Sequence, residues 1–93
     1  MTQPTEPNLA FWRAKIDETD SKILELLDQR MQFTKEIGKY KRIHQIPVLN
    51  TERWFQVIEN LKTQSLSLDV DVEMVVEIWN TMHKYTIESE KNI

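Results

Sequence analysis

The longest regular pattern in the sequence runs from about Leu9 to Ile43. Apolar residues recur there at Ile16, Ile23 and Ile37, with Leu27 one turn after Ile23. This heptad-like spacing predicts one long amphipathic helix. Roughly 35 residues at about 1.5 Å each give a predicted length of about 50 Å.

Two further helices are predicted after a break at the sequence HQIP. The residue before Pro47 is pushed out of the helical region, and Asn50 is then a good N-cap for a helix over residues 51–64. A third helix is expected from about Asp71 to Glu90. Both carry an apolar seam, formed by Trp54, Val57, Ile58 and Leu61 on the second helix and by Val72, Val75, Trp79, Met82 and Thr86 on the third.

The stretch SLSLDVDV, residues 65–72, alternates with the period of a strand. A lone strand has no partner among helices, so we interpret the stretch as a connection. Ser67 and Asp69 are the candidate caps of the third helix.

The predicted fold is therefore all-α, with three helices in a single domain over residues 1–93 and a flexible segment over residues 1–8. A helix of about 50 Å cannot bury its apolar rows against two shorter helices of its own chain. We expect a homodimer in which the long helices pack on each other.

Composition narrows the class of function. A net charge of −3 without basic runs argues against nucleic acid. There is no cysteine, and His44 and His83 lack a metal-ligand spacing, so no metal is expected. The single glycine disfavours Gly-rich phosphate loops. With no signal peptide and no membrane-length apolar run, a soluble cytoplasmic protein is expected.

Cations interrupt the apolar rows of the first helix. One row reads Ile16, Ile23, Arg30 and Ile37, and the adjoining row ends on Lys41. Arg30 and Lys41 face the same way, about 16 Å apart along the axis. Each alone has an ordinary explanation, because a long arginine reaches solvent and a lysine suits a helix C-terminus. Together they indicate a clamp for a small dianion.

Further polar residues extend this site. Thr86 and Glu90 continue the seam of the third helix, although a solvated helix end explains Glu90 equally well. Arg13 lies roughly 25 Å along the helix from Arg30, so the two can share a ligand only across an antiparallel dimer. Arg53 adds a cation near the lysine. A pocket with four cations and almost no anionic partner predicts a dicarboxylate ligand. Lys41 is then expected to lack a compensating anion when the site is empty.

The sequence resembles the all-helical chorismate mutases over nearly its whole length. The resemblance is carried by WRAKIDETDSKILELLDQRM, IGKYK, the linker with IPV, NTER and YTIESE. It implies an intertwined antiparallel homodimer with two equivalent active sites. It also implies the pericyclic rearrangement of chorismate to prephenate in aromatic amino acid biosynthesis, a reaction without a covalent intermediate or a cofactor.

Roles for single residues follow from the resemblance. Lys41 is expected to donate to the ether oxygen of the substrate, with Glu90 on the other side of that oxygen. Arg30, helped by Thr86, is expected to bind one carboxylate, and Arg13 of the partner subunit the other. A carboxyl group donates only when it is protonated, so the environment of Glu90 must favour that form. On this view cations lie on the seam because the substrate completes the core.

The ring end of the expected pocket departs from the family pattern. Arg53 is expected to support the ring side of the substrate. The family commonly follows this arginine with a glutamate that accepts the ring hydroxyl, and here that position is Trp54. Glu52 points about 200° away from it and cannot substitute. An aspartate common at the start of the second helix is here Asn50.

The altered ring end keeps other functions open. An isochorismate-pyruvate lyase also lacks that glutamate, and a 4-amino-4-deoxychorismate mutase acts on a close analogue. From another class, a non-catalytic helical dimer that regulates a shikimate-pathway enzyme remains an alternative. The cations Arg13, Arg30, Lys41 and Arg53 argue against it, because a scaffold has no need of charges on a seam.

Overall fold

The structure, a computed structural model, describes residues 6–93. Three helices follow one another, α1 over Leu9–Ile43, α2 over Thr51–Leu68 and α3 over Val72–Lys91, and the described residues include no strand. The all-α class and the order of three helices are confirmed. Of the predicted N-terminal segment, residues 1–5 lie outside the described residues. Among the helices described, none combines the length and the hydropathy needed to span a membrane.

Helix α1 has the predicted bounds, with local signals at both ends. The side chain of Asn8 accepts a hydrogen bond from a backbone N–H of the first turn at 3.0 Å. At the other end Gln45 has a left-handed φ of 56°, and the Ile46 N–H donates to the Lys41 carbonyl at 2.8 Å. The left-handed residue therefore closes the helix before Pro47 takes effect.

Helix α2 ends at Leu68 rather than at residue 64. Asn50 is its N-cap as predicted, since the side chain accepts a hydrogen bond from the Arg53 N–H at 3.0 Å. The helix continues through residues 65–68, where Ser65 is buried and its hydroxyl donates to the Leu61 carbonyl at 2.6 Å. The first half of the alternating stretch is thus helical.

The predicted caps of α3 are wrong. Ser67 lies inside α2, and Asp69, with a left-handed φ of 56°, is the C-cap of α2. Asp71 has an extended conformation and is the N-cap of α3. Its carboxylate accepts hydrogen bonds from the N–H groups of Glu73 and Met74 at 2.8 and 3.2 Å.

The chain divides into two compact units, Met1–Gln32 and Phe33–Ile93. The first unit, described from residue 6, is helical from Leu9 and holds no buried side chain among its described residues. Eight of its large apolar side chains are exposed in the single chain, namely Leu9, Phe11, Trp12, Ile16, Ile23, Leu24, Leu26 and Leu27.

The second unit contains the packed seam between α2 and α3. Every seam residue predicted on these two helices is at least half-buried. Val75 is the single buried apolar side chain among the described residues. Packing within one chain therefore covers the seam only in part.

The cap of α3 gives a stability prediction. Asp71→Ala removes two capping hydrogen bonds and should lower the free energy of unfolding by about 1 kcal/mol. Ser67→Ala is the matched control, because Ser67 lies inside α2 and should change stability by less than about 0.5 kcal/mol. Urea unfolding at one protein concentration measures both variants. Equal losses would contradict the assignment of the cap.

Candidate active site

Lys41 and Glu90 meet where the last turns of α1 and α3 lie side by side in the second unit. The Lys41 Nζ is 2.8 Å from the Glu90 Oε1, and it donates a hydrogen bond to the Val48 carbonyl at 2.7 Å. The two side chains are 18% and 6% exposed. The ammonium group is thus held from two sides in a largely buried place.

The expectation that Lys41 lacks an anionic partner is wrong, because Glu90 pairs with it. The contact is short, yet it lacks the direction of a hydrogen bond. No donor group among the described residues forms a hydrogen bond with the buried Glu90 Oε1. The contact is therefore an ion pair, and the hydrogen-bonding capacity of this carboxylate oxygen is unused among the described residues.

Gly38 sets the close approach of α1 and α3 beside this pair. A Cβ atom at this position would lie 2.9 Å from the Ile93 Cγ1 and 3.1 Å from the Glu90 Cα. The second neighbour is backbone, so a side chain here would require α3 to shift by a few tenths of an ångström. Lys41 follows one turn later on the same side of α1, and the missing Cβ keeps Glu90 within its reach. The sequence carried a signal for this role, since a glycine inside a helix destabilises it by about 1 kcal/mol without a packing reason.

A pocket of about 340 Å³ opens beside the ion pair. Lys41, Arg42 and Lys91 bring three cations to its lining, against the one carboxylate of Glu90. The Arg42 guanidinium also donates a hydrogen bond to the backbone oxygen of Ile93. An excess of positive charge in a pocket of this size suits a small anionic ligand.

The other predicted residues of the second unit lie outside the lining of this pocket. Thr86 is half-buried one turn before the glutamate, and Arg53 is exposed in the first turn of α2. The side chain of Asn50 serves as the cap of α2. Trp54 stacks on His83, with ring centroids 3.8 Å apart and planes inclined by 12°. Sequence reasoning did not anticipate this aromatic pair.

Arg13 and Arg30 belong to the first unit, where Arg13 is exposed and Arg30 half-buried on α1. Within the second unit the structure brings Lys41 and Glu90 into direct contact. It adds Gly38, Arg42 and Ile93 to their surroundings. Neither Arg42 nor Ile93 interrupts a pattern, so the sequence offered no signal for them.

Comparison with known proteins identifies a family and several relatives. The model of the family described as chorismate mutase type II matches residues 12–91. A 4-amino-4-deoxychorismate mutase from Streptomyces pristinaespiralis is 29% identical over 86 residues, which cover 92% of this chain and 66% of that protein. A chorismate mutase from Methanocaldococcus jannaschii is 28% identical over 83 residues, covering 89% of this chain and 84% of that protein.

A T-protein from Enterobacter agglomerans is 25% identical over 85 residues, which cover 89% of this chain but 23% of that protein. The chain thus spans slightly less than two thirds of the length of the first relative and about a quarter of the T-protein.

The ion pair gives a prediction that needs no substrate. Lys41→Met leaves the Glu90 carboxylate buried without a cation and should lower the free energy of unfolding by about 3 kcal/mol. In the double variant with Glu90→Gln, the loss should be smaller than the sum of the two single losses. Urea unfolding of the four proteins at one concentration measures this coupling. Additive losses would show that the two side chains do not interact.

Proposed function

The chain belongs to the chorismate mutase type II family, and we propose that it catalyses the rearrangement of chorismate to prephenate. The observation that carries the proposal is the Lys41–Glu90 pair, 2.8 Å apart in a pocket with excess positive charge. The family match includes both residues. A relative named chorismate mutase, similar over 89% of this chain, supports the same isomerase activity.

The proposed reaction breaks the ether C–O bond of the substrate while a C–C bond forms between the two ends of the same molecule. It uses no nucleophile, and negative charge develops on the ether oxygen. A lysine N–H aimed at this oxygen stabilises the transition state, most strongly in a buried site. Lys41 suits this role, because Val48 and Glu90 engage two sides of its ammonium. Among the described residues its one hydrogen bond is to the Val48 carbonyl, so an N–H remains for the substrate.

Glu90 has two roles in this proposal. As a carboxylate it holds the lysine ammonium in place before the substrate binds. Once protonated, it donates a second hydrogen bond to the ether oxygen, opposite Lys41. The buried Oε1, which accepts no hydrogen bond from the described residues, supports a polar role toward the substrate.

We propose that the two substrate carboxylates bind to arginines from two chains. Arg30, helped by Thr86, binds one of them, and Arg13 of the partner subunit binds the other. Arg53 supports the ring side, together with Trp54 and Asn50. Holding both carboxylates keeps the substrate in the compact conformer in which its reacting ends meet, which lowers the entropic part of the barrier.

The homodimer is part of the same proposal, with a second copy of the chain as the occupant of the exposed apolar face of α1. Ile16, Ile23 and Ile37 are 60%, 51% and 50% exposed in the single chain. A second copy presents the same face, so a two-fold antiparallel pair covers both. This pairing sets the start of one α1 beside the middle of the other, as sharing of Arg13 and Arg30 requires.

A second candidate is a mutase for 4-amino-4-deoxychorismate. Two observations favour it: the relative of that name at 29% identity, and Trp54 in place of the ring-side glutamate. The same replacement keeps an isochorismate-pyruvate lyase as an alternative. The buried Lys41–Glu90 pair argues against a non-catalytic regulator. A cytoplasmic location and one domain over residues 1–93 remain predictions.

Product analysis tests the proposed activity. The purified protein is incubated separately with chorismate, isochorismate and the 4-amino analogue, and prephenate from chorismate is the expected main product. Lys41→Ala should lower kcat by about 10²-fold or more through loss of a donor to the ether oxygen. Lys39→Ala is the control, since Lys39 is 58% exposed and pairs locally with Glu36. Pyruvate from isochorismate as the main product would instead identify a lyase.

Subunit mixing tests the shared site. Arg13→Ala and Arg30→Ala proteins should each be nearly inactive alone. After subunit exchange, each heterodimer should carry about one intact site, so random mixing should recover about a quarter of wild-type activity. Each variant taken alone through the same exchange protocol is the control. Demonstrated exchange without any recovery would refute a site built from both chains.

A further inference from the structure

We propose that Arg42 and Ile93 are positioning residues that hold the end of α3 against Gly38 and thereby keep the Glu90 carboxylate at Lys41. The predicted effect on turnover rests on the proposed function. The structural effect on α3 does not depend on it.

Arg42 and Ile93 are needed as an anchor because Glu90 lies in the last turn of a helix. Helix α3 ends at Lys91, one residue later, and the Asn92 N–H closes the turn on the Glu88 carbonyl at 3.1 Å. Terminal turns open readily unless groups outside the helix hold them. An open turn would expose the glutamate, yet its side chain is only 6% exposed.

Two contacts from α1 hold this turn. The Arg42 guanidinium donates a hydrogen bond to the Ile93 backbone oxygen, which ties the residues after α3 to the end of α1. The Ile93 side chain is half-buried and occupies the space over Gly38, with its Cγ1 2.9 Å from where a Cβ would lie. One contact is polar and the other apolar, and both act on the same residue.

Glu90 and Ile93 are three residues apart, so a restraint on Ile93 acts directly on the turn that carries the carboxylate. Lys41 and Arg42 are adjacent on α1, so one short segment provides both the ion-pair partner and the anchor. Arg42 is thus assigned to the protein backbone rather than to the substrate, although it lines the same pocket. Lys41 and Arg42 carry the same charge and line the same pocket, but they are thus assigned different roles.

Hydrogen exchange of the backbone amides, measured on the purified protein without substrate, tests the anchor. In Arg42→Gln the amides of residues 90–92 should exchange about tenfold faster or more, because the turn loses its polar contact. Lys39→Gln is the matched control, since it removes the same charge from the same end of α1, and Lys39 pairs locally with Glu36 at 3.3 Å. It should leave exchange unchanged. Arg42→Lys keeps a donor and should restore part of the protection.

Ile93→Ala keeps the backbone oxygen while removing the apolar contact, and it should speed exchange at the same amides. Ile93→Ala also allows the anchor to be tested by hydrogen exchange if Arg42→Gln fails to fold. Unchanged exchange in both variants would overturn the proposal.

Kinetics with chorismate distinguish positioning from binding. Arg42→Gln should lower kcat while KM changes less than about threefold, because a displaced Glu90 weakens transition-state stabilisation. A large rise in KM with an unchanged kcat would overturn the proposal in favour of direct contact with the substrate. If the wild-type protein turns over no chorismate, the proposed function fails, and the exchange measurement still decides whether Arg42 holds α3.

Discussion

A lysine ammonium held against a buried carboxylate is the interaction on which the rest of the site depends. The Lys41–Glu90 pair lies 2.8 Å apart between the last turns of two helices, and each group is stable there only because the other is present. Gly38 makes the approach possible by lacking a Cβ. The pair places two charges in a chain whose described residues include only one buried apolar side chain. Such a placement is understandable if these charges take part in catalysis.

The fold was predictable where it follows from local periodicity. The bounds of α1, the cap at Asn50 and the half-buried seam between α2 and α3 all follow from helical spacing and the residue before the first turn. The prediction failed between α2 and α3, where both the residue that ends α2 and the residue that caps α3 had to be chosen. The hydroxyl of Ser65 bonds back within the helix, and Asp69 takes a left-handed conformation, so the cap moves to Asp71. Spacing carries no information on either choice.

The site was predictable in part. The position of Lys41 and Glu90 on neighbouring seams, together with the family resemblance, anticipated that they would meet, but not that they would pair with each other. The prediction that Lys41 lacks an anionic partner failed because it counted charged residues without knowing the distances between them. Arg42 bonds to a backbone oxygen 51 residues away, and no sequence pattern encodes such a contact. The exposed apolar face of α1 is the remaining element, and a second copy of the chain is its proposed cover.

The most direct test of the account is a crystal structure with a stable dicarboxylate that mimics the compact transition state. We expect the Lys41 Nζ within hydrogen-bonding distance of the ether oxygen of the ligand, with Glu90 on its other side. One carboxylate should bind Arg30 and the other Arg13 of the partner subunit. A ligand bound elsewhere, with Lys41 still engaged only by Glu90 and Val48, would contradict the assignment of this pair to catalysis.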